Sequence, residues 1–280
     1  MSFFKGRKAV LATMHGKEKV ILPLMKELGI DVVVPQNFDT DRFGTFTRDV
    51  ARAGDQIEAA RAKALEAMNA TGLDLAIASE GSFGPDRDIP FANSNLELVL
   101  LVDRQNNLEI HGHHKSFDTN MAGTYVSSVD EALDFARSVG FPEHAVIVRK
   151  NKDSKKQIHK GIKSEEELRE VVQKMLSKFF VRRVYIETDM RAHMNPRRMQ
   201  NIVHATKDLL RNIQSVCTEC ETPGFAIVDT TGSRVCTGCG IKTGTPLYAI
   251  KRCQKCLHEL KELIDNSVTD DPANCPRCNP

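Results

Sequence analysis

Strand and helix signals alternate through the first 213 residues, and all eight cysteines lie in the last 64 as four Cys-x-x-Cys pairs. Together these predict an α/β fold with one mixed sheet over residues 1–213, followed by a small double zinc-ribbon-like module over residues 214–280. The chain is 41% hydrophobic and 27% charged, with no low-complexity stretch. That is a globular composition, and 280 residues exceed one average domain.

The elements follow in order. Ala9-Val10-Leu11-Ala12 is a short apolar run, hence a buried strand. After Met14-His15-Gly16, the residues Val20, Leu24 and Leu28 recur at helical spacing, and Gly29 closes that helix. Asp31 to Val34 is the next strand, ended by Pro35. A long helix is expected from Thr47 to Ala70, with Val50, Ile57, Ala60, Ala64 and Met68 on one face. Leu75 to Ala78 is a central strand leading into a loop at Ser79-Glu80-Gly81-Ser82. Leu96–Val102 and Leu108–His113 flank a polar turn, Asp103 to Asn107, and form a hairpin. Ser128-x-x-Glu131 and Ser164-x-x-Glu167 are capping boxes that open two more helices. Ala145–Val148 and Val181–Ile186 are strands, and Lys150 to Lys156 is an exposed hairpin loop. Asn195-Pro196 supplies an N-cap and a first-turn proline to a helix carrying Met199, Ile202, Val203, Thr206, Leu209, Leu210 and Ile213.

The cysteine pairs are Cys217/Cys220, Cys236/Cys239, Cys253/Cys256 and Cys275/Cys278. A Cys-x-x-Cys turn aims two thiolates at one metal, and two such turns complete a tetrahedral sulfur shell around Zn²⁺. Four pairs therefore supply two structural zinc ions. Disulfides would need an oxidising compartment. The apolar run at Ala9–Ala12 is too short for a signal sequence, and no segment approaches the ~18 apolar residues of a membrane span. A cytoplasmic protein with no membrane partner is expected. Fifteen residues separate Cys220 from Cys236. They read as a strand (Gly224 to Val228), a Thr231-Gly232-Ser233 turn and a return strand. The simplest sharing therefore joins pair one to pair two and pair three to pair four, with cross-braced sharing as the alternative. His258 to Asp265 reads as a short helix. A net charge of +2 gives no argument for nucleic acid. The tail also offers only Phe225 and Tyr248 for base stacking, so it reads as structural.

Ligands of open α/β sheets sit beyond the carboxyl ends of strands, and three segments there carry suitable chemistry. Thr13 to Lys19 offers a helix N-terminus, Gly16, Lys17 and Lys19, which suit a phosphate. Asp39 to Phe46 carries two carboxylates, Asp39 and Asp41. Ser79 to Ser82 places Glu80 between small residues. Each alone reads better as an ordinary structural feature: Lys17 and Lys19 as a solvated helix start, Asp39 and Asp41 as turn caps, Glu80 as an ion-pair member. Three on adjacent elements point to a phosphate and Mg²⁺ site.

The order of these pieces resembles the inosine triphosphate pyrophosphatase superfamily. That family has a strand, then Ala-Thr-Gly-Asn and a lysine on the next helix; here stands Ala12-Thr13-Met14-His15-Gly16-Lys17. Its Glu-Thr-Gly-x-Thr-Phe is matched by Asp41-Arg42-Phe43-Gly44-Thr45-Phe46. Its basic, alanine-rich helix is matched by Ala60-Arg61-Ala62-Lys63-Ala64, and its catalytic acid by Ser79-Glu80-Gly81. The resemblance covers roughly residues 8–115. It implies an ITPase-like fold and a nucleoside triphosphate pyrophosphohydrolase acting with Mg²⁺. Asp41 and Glu80 would then be catalytic, and Thr13, Lys17, Lys19, Arg61 and Lys63 would hold phosphates. The family's late Ser-His-Arg motif, which contacts the base, is matched by His193 and Arg197. Departures are Met14 and His15 in the first loop, Ser79 in place of an aspartate, and the zinc tail, which is foreign to that superfamily. Glu80-Gly81-Ser82-Phe83-Gly84-Pro85 with a terminal Cys-x-x-Cys-Asn-Pro also resembles a bacterial domain-of-unknown-function family. Two function classes emerge: a hydrolase of nucleotides or other phosphoanhydrides, and a binding module with a zinc tail for a protein or nucleic-acid partner.

Overall fold

The computed structural model describes residues 3–35, 55–86 and 88–280. They form two compact units, one spanning 2–105 and 111–210, the other 106–110 and 211–280. No described helix is long and apolar enough to cross a membrane.

The larger unit contains two sheets where the sequence predicts one. The first has the order β2-β1-β3-β4-β5, built from β1 (Lys8–Ala12), β2 (Asp31–Val33), β3 (Leu75–Pro85), β4 (Asn93–Asp103) and β5 (Leu108–Ser116). It is mixed: β1 runs parallel to β2 and β3, and β3 runs antiparallel to β4. The second is an antiparallel sheet of order β6-β9-β7-β8, from β6 (Gly123–Val126), β7 (Val146–Arg149), β8 (Ile158–Ile162) and β9 (Val184–Thr188). It stands apart because its own helices, α3 (Val129–Ser138) and α4 (Glu165–Leu176), cover it. Ala132, Leu133 and Ala136 of α3 and Leu168, Val172 and Met175 of α4 close over Val126, Val146, Val148, Val184 and Ile186. A four-stranded sheet with one apolar face and two helices needs no partner sheet to bury its core.

All three predicted N-caps form: Ser128 accepts from the Glu131 amide and Ser164 from the Glu167 amide, each at 3.1 Å, and Asn195 from the Arg198 amide at 3.0 Å. Helix α1 (Glu18–Glu27) buries Ile21 and Met25. Its core face lies one residue on from the expected Val20 and Leu24, which are only half-buried. Helix α2 (Gln56–Thr71) starts at a capping box, where Asp55 accepts from the Glu58 amide and Glu58 reaches back to the Asp55 amide. Expected helical residues Thr47 to Gly54 lie outside the described residues, as do Asp39 and Asp41. The buried face of α2 is alanine-rich: Ala60, Ala64 and Ala67, with Met68, lie on Val10, Ala12, Ala76, Ala78, Leu98, Leu100 and Val102. Small side chains let this helix approach the sheet closely, which places its polar residue Lys63 at the strand surface.

Helix α5 (Pro196–Gln214) packs on β5 at Gly112. A methyl there would overlap the backbone of Leu209 and Ala205, so only glycine permits that approach.

In the smaller unit β10 (Ala226–Thr231), β12 (Tyr248–Arg252) and β13 (Glu259–Leu263) form an antiparallel sheet, and β11 (Val235–Cys236) pairs in parallel with β14 (Thr269–Asp270). Two expectations fail here. The partner of β10 is β12, not a return strand leading to the second cysteine pair. The segment read as a helix after His258 is the strand β13. Its Leu260 joins Cys217, Phe225 and Cys253 in a small apolar cluster, and Arg252 and Glu259 pair across the ladder. Tertiary pairing overrides the local helical preference of Glu, Leu and Lys.

Candidate functional site

Two four-sulfur centres stand out in the smaller unit. Cys217, Cys220, Cys253 and Cys256 form one, and Cys236, Cys239, Cys275 and Cys278 the other. The sharing is cross-braced, pair one with three and pair two with four, which corrects the simpler expectation. Strand pairing is the cause. Cys253 directly follows β12, and the β10–β12 ladder returns it to the start of β10, next to the first pair. The β11–β14 pairing brings the second and fourth pairs together.

All four knuckles share one geometry. The amide of the residue just after each pair's second cysteine donates to the first cysteine's carbonyl: Glu221 to Cys217, Gly240 to Cys236, Leu257 to Cys253 and Asn279 to Cys275, at 2.9–3.2 Å. Glu221, Gly240 and Leu257 take positive φ to do so. The nearest sulfurs stand 3.4 Å (Cys220–Cys256) to 3.8 Å (Cys236–Cys278) apart, and all four sulfurs of each centre lie within 4.8 Å of one another. A Zn–S bond of ~2.3 Å in a tetrahedron needs about 3.8 Å, whereas a disulfide needs ~2.05 Å. Amides add to the sulfurs: Gly238 donates to Cys236 at 3.3 Å and Lys255 to Cys253 at 3.4 Å. Each centre can therefore hold one zinc ion, a structural one, since four protein sulfurs leave no open position.

The larger unit contains a buried charged cluster at the carboxyl end of β1. There β1 stops at Ala12, its last partner being Ala78, while β3 runs on to Pro85. Glu80 is thus inside a strand, paired opposite Leu98, rather than in a loop as the sequence suggests. Alternation along β3 sends Glu80 to the α2 face, where its carboxylate meets the Lys63 ammonium; both are almost wholly buried. Gln56 ties the start of α2 to the same strands, donating to the Glu80 and Leu96 carbonyls at 2.9 Å each. On the opposite face Glu97 of β4 and Arg198 of α5, both fully buried, pair at 2.8 Å. Asn95 donates to Glu97 at 2.9 Å, Asn201 to Asn95 at 2.7 Å, and Arg198 to the Met190 carbonyl at 2.5 Å. Gly81 lies opposite Glu97, and a methyl there would stand 2.5 Å from Glu97 Oε1 and 2.7 Å from Arg198 Nη2.

Lys17 lies between these pairs. It is 7% exposed and donates to Ser79 Oγ at 2.8 Å and to the Ser79 carbonyl at 3.3 Å. Among the described residues it forms no ion pair. Burial, and then the nearby Arg198 cation, lower its pKa to about 7.

The other expected residues are scattered. Thr13 is buried and turns its hydroxyl to the Met14 carbonyl at 2.9 Å. Lys19 is exposed on α1, and Arg61 is half-buried on α2. His193 is exposed and stacks on His15, with centroids 5.0 Å apart, so its segment does meet the Thr13–Lys17 loop. Burial also lowers the His193 pKa. Arg197 is exposed and pairs with Asp118 at 3.0 Å. Beside the cluster, a cleft of about 700 Å³ is walled by Gln56, Ile57, Phe83, Leu96 and Leu98. Sequence reasoning missed Glu97 and Arg198. The signal was present: a lone carboxylate inside the apolar run Leu96–Val102 must find a buried cation.

A family model described as a domain of unknown function (DUF6671) matches residues 63–280. No curated protein and no solved structure matches the chain. The matched span contains all eight cysteines together with Lys63, Glu80, Glu97 and Arg198.

Proposed function

The chain belongs to the DUF6671 family, a domain of unknown function, and from that premise we propose that it is a zinc-stapled protein whose α/β unit binds a phosphate-bearing small molecule at Lys17. One observation carries this reading. Among the described residues of the cluster, where Lys63 is matched by Glu80 and Arg198 by Glu97, Lys17 is the surplus cation. A buried ammonium without a counter-charge is costly, and a bound anion supplies that charge. Binding would hold the proton on Lys17. Affinity is therefore full below pH 7 and falls as pH rises through about 7.

Phosphoanhydride hydrolysis is the finer form of the proposal. The substrate phosphate would take Lys63 from Glu80, and the released carboxylate would position water as general base. Magnesium enters no step. Among the described residues the two cluster carboxylates are paired with cations, Glu80 with Lys63 and Glu97 with Arg198, and they face opposite sides of the sheet, so these side chains do not fit a divalent ion. The same Lys63–Glu80 pair favours the second reading, a binding module without catalysis.

Titration with pyrophosphate and a nucleoside triphosphate panel, with and without Mg²⁺, tests all of this when binding and phosphate release are read together. Lys17→Met should weaken binding about a hundredfold, the worth of one strong charge-assisted contact. Glu80→Gln should keep binding and lower any phosphate release about a hundredfold. Binding without release selects the non-catalytic module. Lys17→Met binding as well as wild type, or a wild type that binds none of these anions, would overturn the assignment of Lys17.

A further inference from the structure

The turn after α4 exposes two adjacent aromatic side chains. Phe179 is 86% exposed and Phe180 89%. They occupy the central positions of a tight turn closed by the Val181 amide donating to the Lys178 carbonyl at 3.0 Å. Both flanks are anchored, since Leu176 and Val181 pack into the core under the four-stranded sheet. The turn is therefore held outward, and its phenylalanines cannot fold back into that core. Phe180 also takes φ +70°, a conformation that favours glycine or asparagine at this turn position. A bulky apolar residue is disfavoured there by backbone and by solvent alike. Retaining two of them points to a use.

The surroundings indicate the partner. Lys178, Arg182 and Arg183 flank the pair, and all three are exposed. The β7–β8 loop, with exposed Lys150, Lys152, Lys155 and Lys156, lies alongside. Lys178 reaches Gln157 at 3.3 Å, the Lys152 amide donates to the Tyr125 hydroxyl at 3.3 Å, and the Arg183 guanidinium lies 4.3 Å from the centre of the Tyr125 ring. Segments 150–157 and 174–183 together contain eight cations and one acid, Asp153. The chain as a whole is close to neutral at +2, so this charge is a local concentration.

We propose that the Phe179–Phe180 turn and its basic surround form a docking surface for an anionic lipid bilayer. The rings enter the interfacial layer, and the lysines and arginines face the lipid phosphates. Single-stranded nucleic acid fits less well. The two rings meet edge to face at 4.1 Å and 64°, so each obstructs the other's stacking surface.

The test uses full-length, zinc-loaded protein and sedimentation with vesicles of phosphatidylcholine alone or of equal parts phosphatidylcholine and phosphatidylglycerol. Wild type should bind the anionic vesicles and release from them as salt rises. The double substitution Phe179→Ser/Phe180→Ser should weaken binding about a hundredfold, and Arg182→Gln/Arg183→Gln about tenfold with a flatter salt dependence. The thermal midpoint should not fall in the phenylalanine variant, whose side chains are exposed, and should fall only slightly in the arginine variant, which loses the exposed Arg183–Tyr125 contact. The chain has no tryptophan. Phe180→Trp therefore gives a clean second readout, a blue shift in emission on anionic vesicles. Equal binding to neutral vesicles, wild-type binding by the double phenylalanine variant, or an unshifted tryptophan would each overturn the proposal. So would phenylalanine-dependent binding of a single-stranded RNA in preference to the vesicles.

Discussion

Lys17 opposes the stability of the unit that contains it. Its folded pKa of about 7 lies below the ordinary 10.5, so the fold bears the full cost of the buried charge below pH 7. The cost fades as pH rises from about 7 toward 10.5 and the folded amine gives up its proton. Lys17→Met keeps the apolar stem and removes the charge. At pH 6 it should raise stability by about 1–4 kcal/mol, with the advantage shrinking at pH 9. Thermal denaturation at both pH values checks this; a lowered midpoint would mark Lys17 as structural. Gly81 presents the reverse case. Gly81→Ala pushes a methyl against the Glu97–Arg198 pair, which is fully buried and cannot move into solvent. A loss of about 3 kcal/mol is expected, from overpacking and a disturbed buried pair, and denaturant titration against wild type would show it. The sequence showed the Ser79–Ser82 segment as a place of chemistry but not which face each residue takes. A strand's alternation is readable only once its length is known, and β3 runs seven residues beyond the apolar stretch that announces it.

At the level of elements, local signals were strongest where the chain caps itself. Ser128, Ser164 and Asn195 each satisfy the amide three residues on, and those helix starts were plain in the sequence. Elements set by distant partners were not. The strand β13 carries helix-forming residues and is extended because β12 pairs with it. The same ladder decides which cysteines share a metal, and that has a direct test. In the cross-braced arrangement Cys217→Ser/Cys253→Ser damages one centre and should leave one zinc per chain. Cys217→Ser/Cys236→Ser damages both and should leave little. Sequential sharing would reverse the two results, and elemental analysis of the reduced proteins distinguishes them. Gly112 governs another contact between elements. Gly112→Ala would lift α5 off β5, because the obstacle is helix backbone that no rotamer change can clear. It should cost about 3 kcal/mol or more, measured as a lower denaturant midpoint for the larger unit.

Across the whole molecule, stability has two sources. The larger unit holds extensive apolar clusters between its sheets and helices. The smaller unit has one modest cluster, Cys217, Phe225 and Cys253 with Leu260, and strands of which two are only two residues long. So little burial cannot offset the entropy of ordering about seventy residues at ~1 kcal/mol or more each. Metal must supply the difference, on the order of 10 kcal/mol per structural zinc at neutral pH. Chelation should therefore unfold the smaller unit selectively. Hydrogen exchange followed by mass spectrometry, before and after a strong chelator, should show protection lost across β10, β12 and β13. Protection should persist in α2, β3 and β4 and in the sheet under α3 and α4. Loss of protection throughout the chain would mean that the larger unit depends on the zinc centres as well. Unchanged protection in β10, β12 and β13 would mean that the eight cysteines are not what holds those strands.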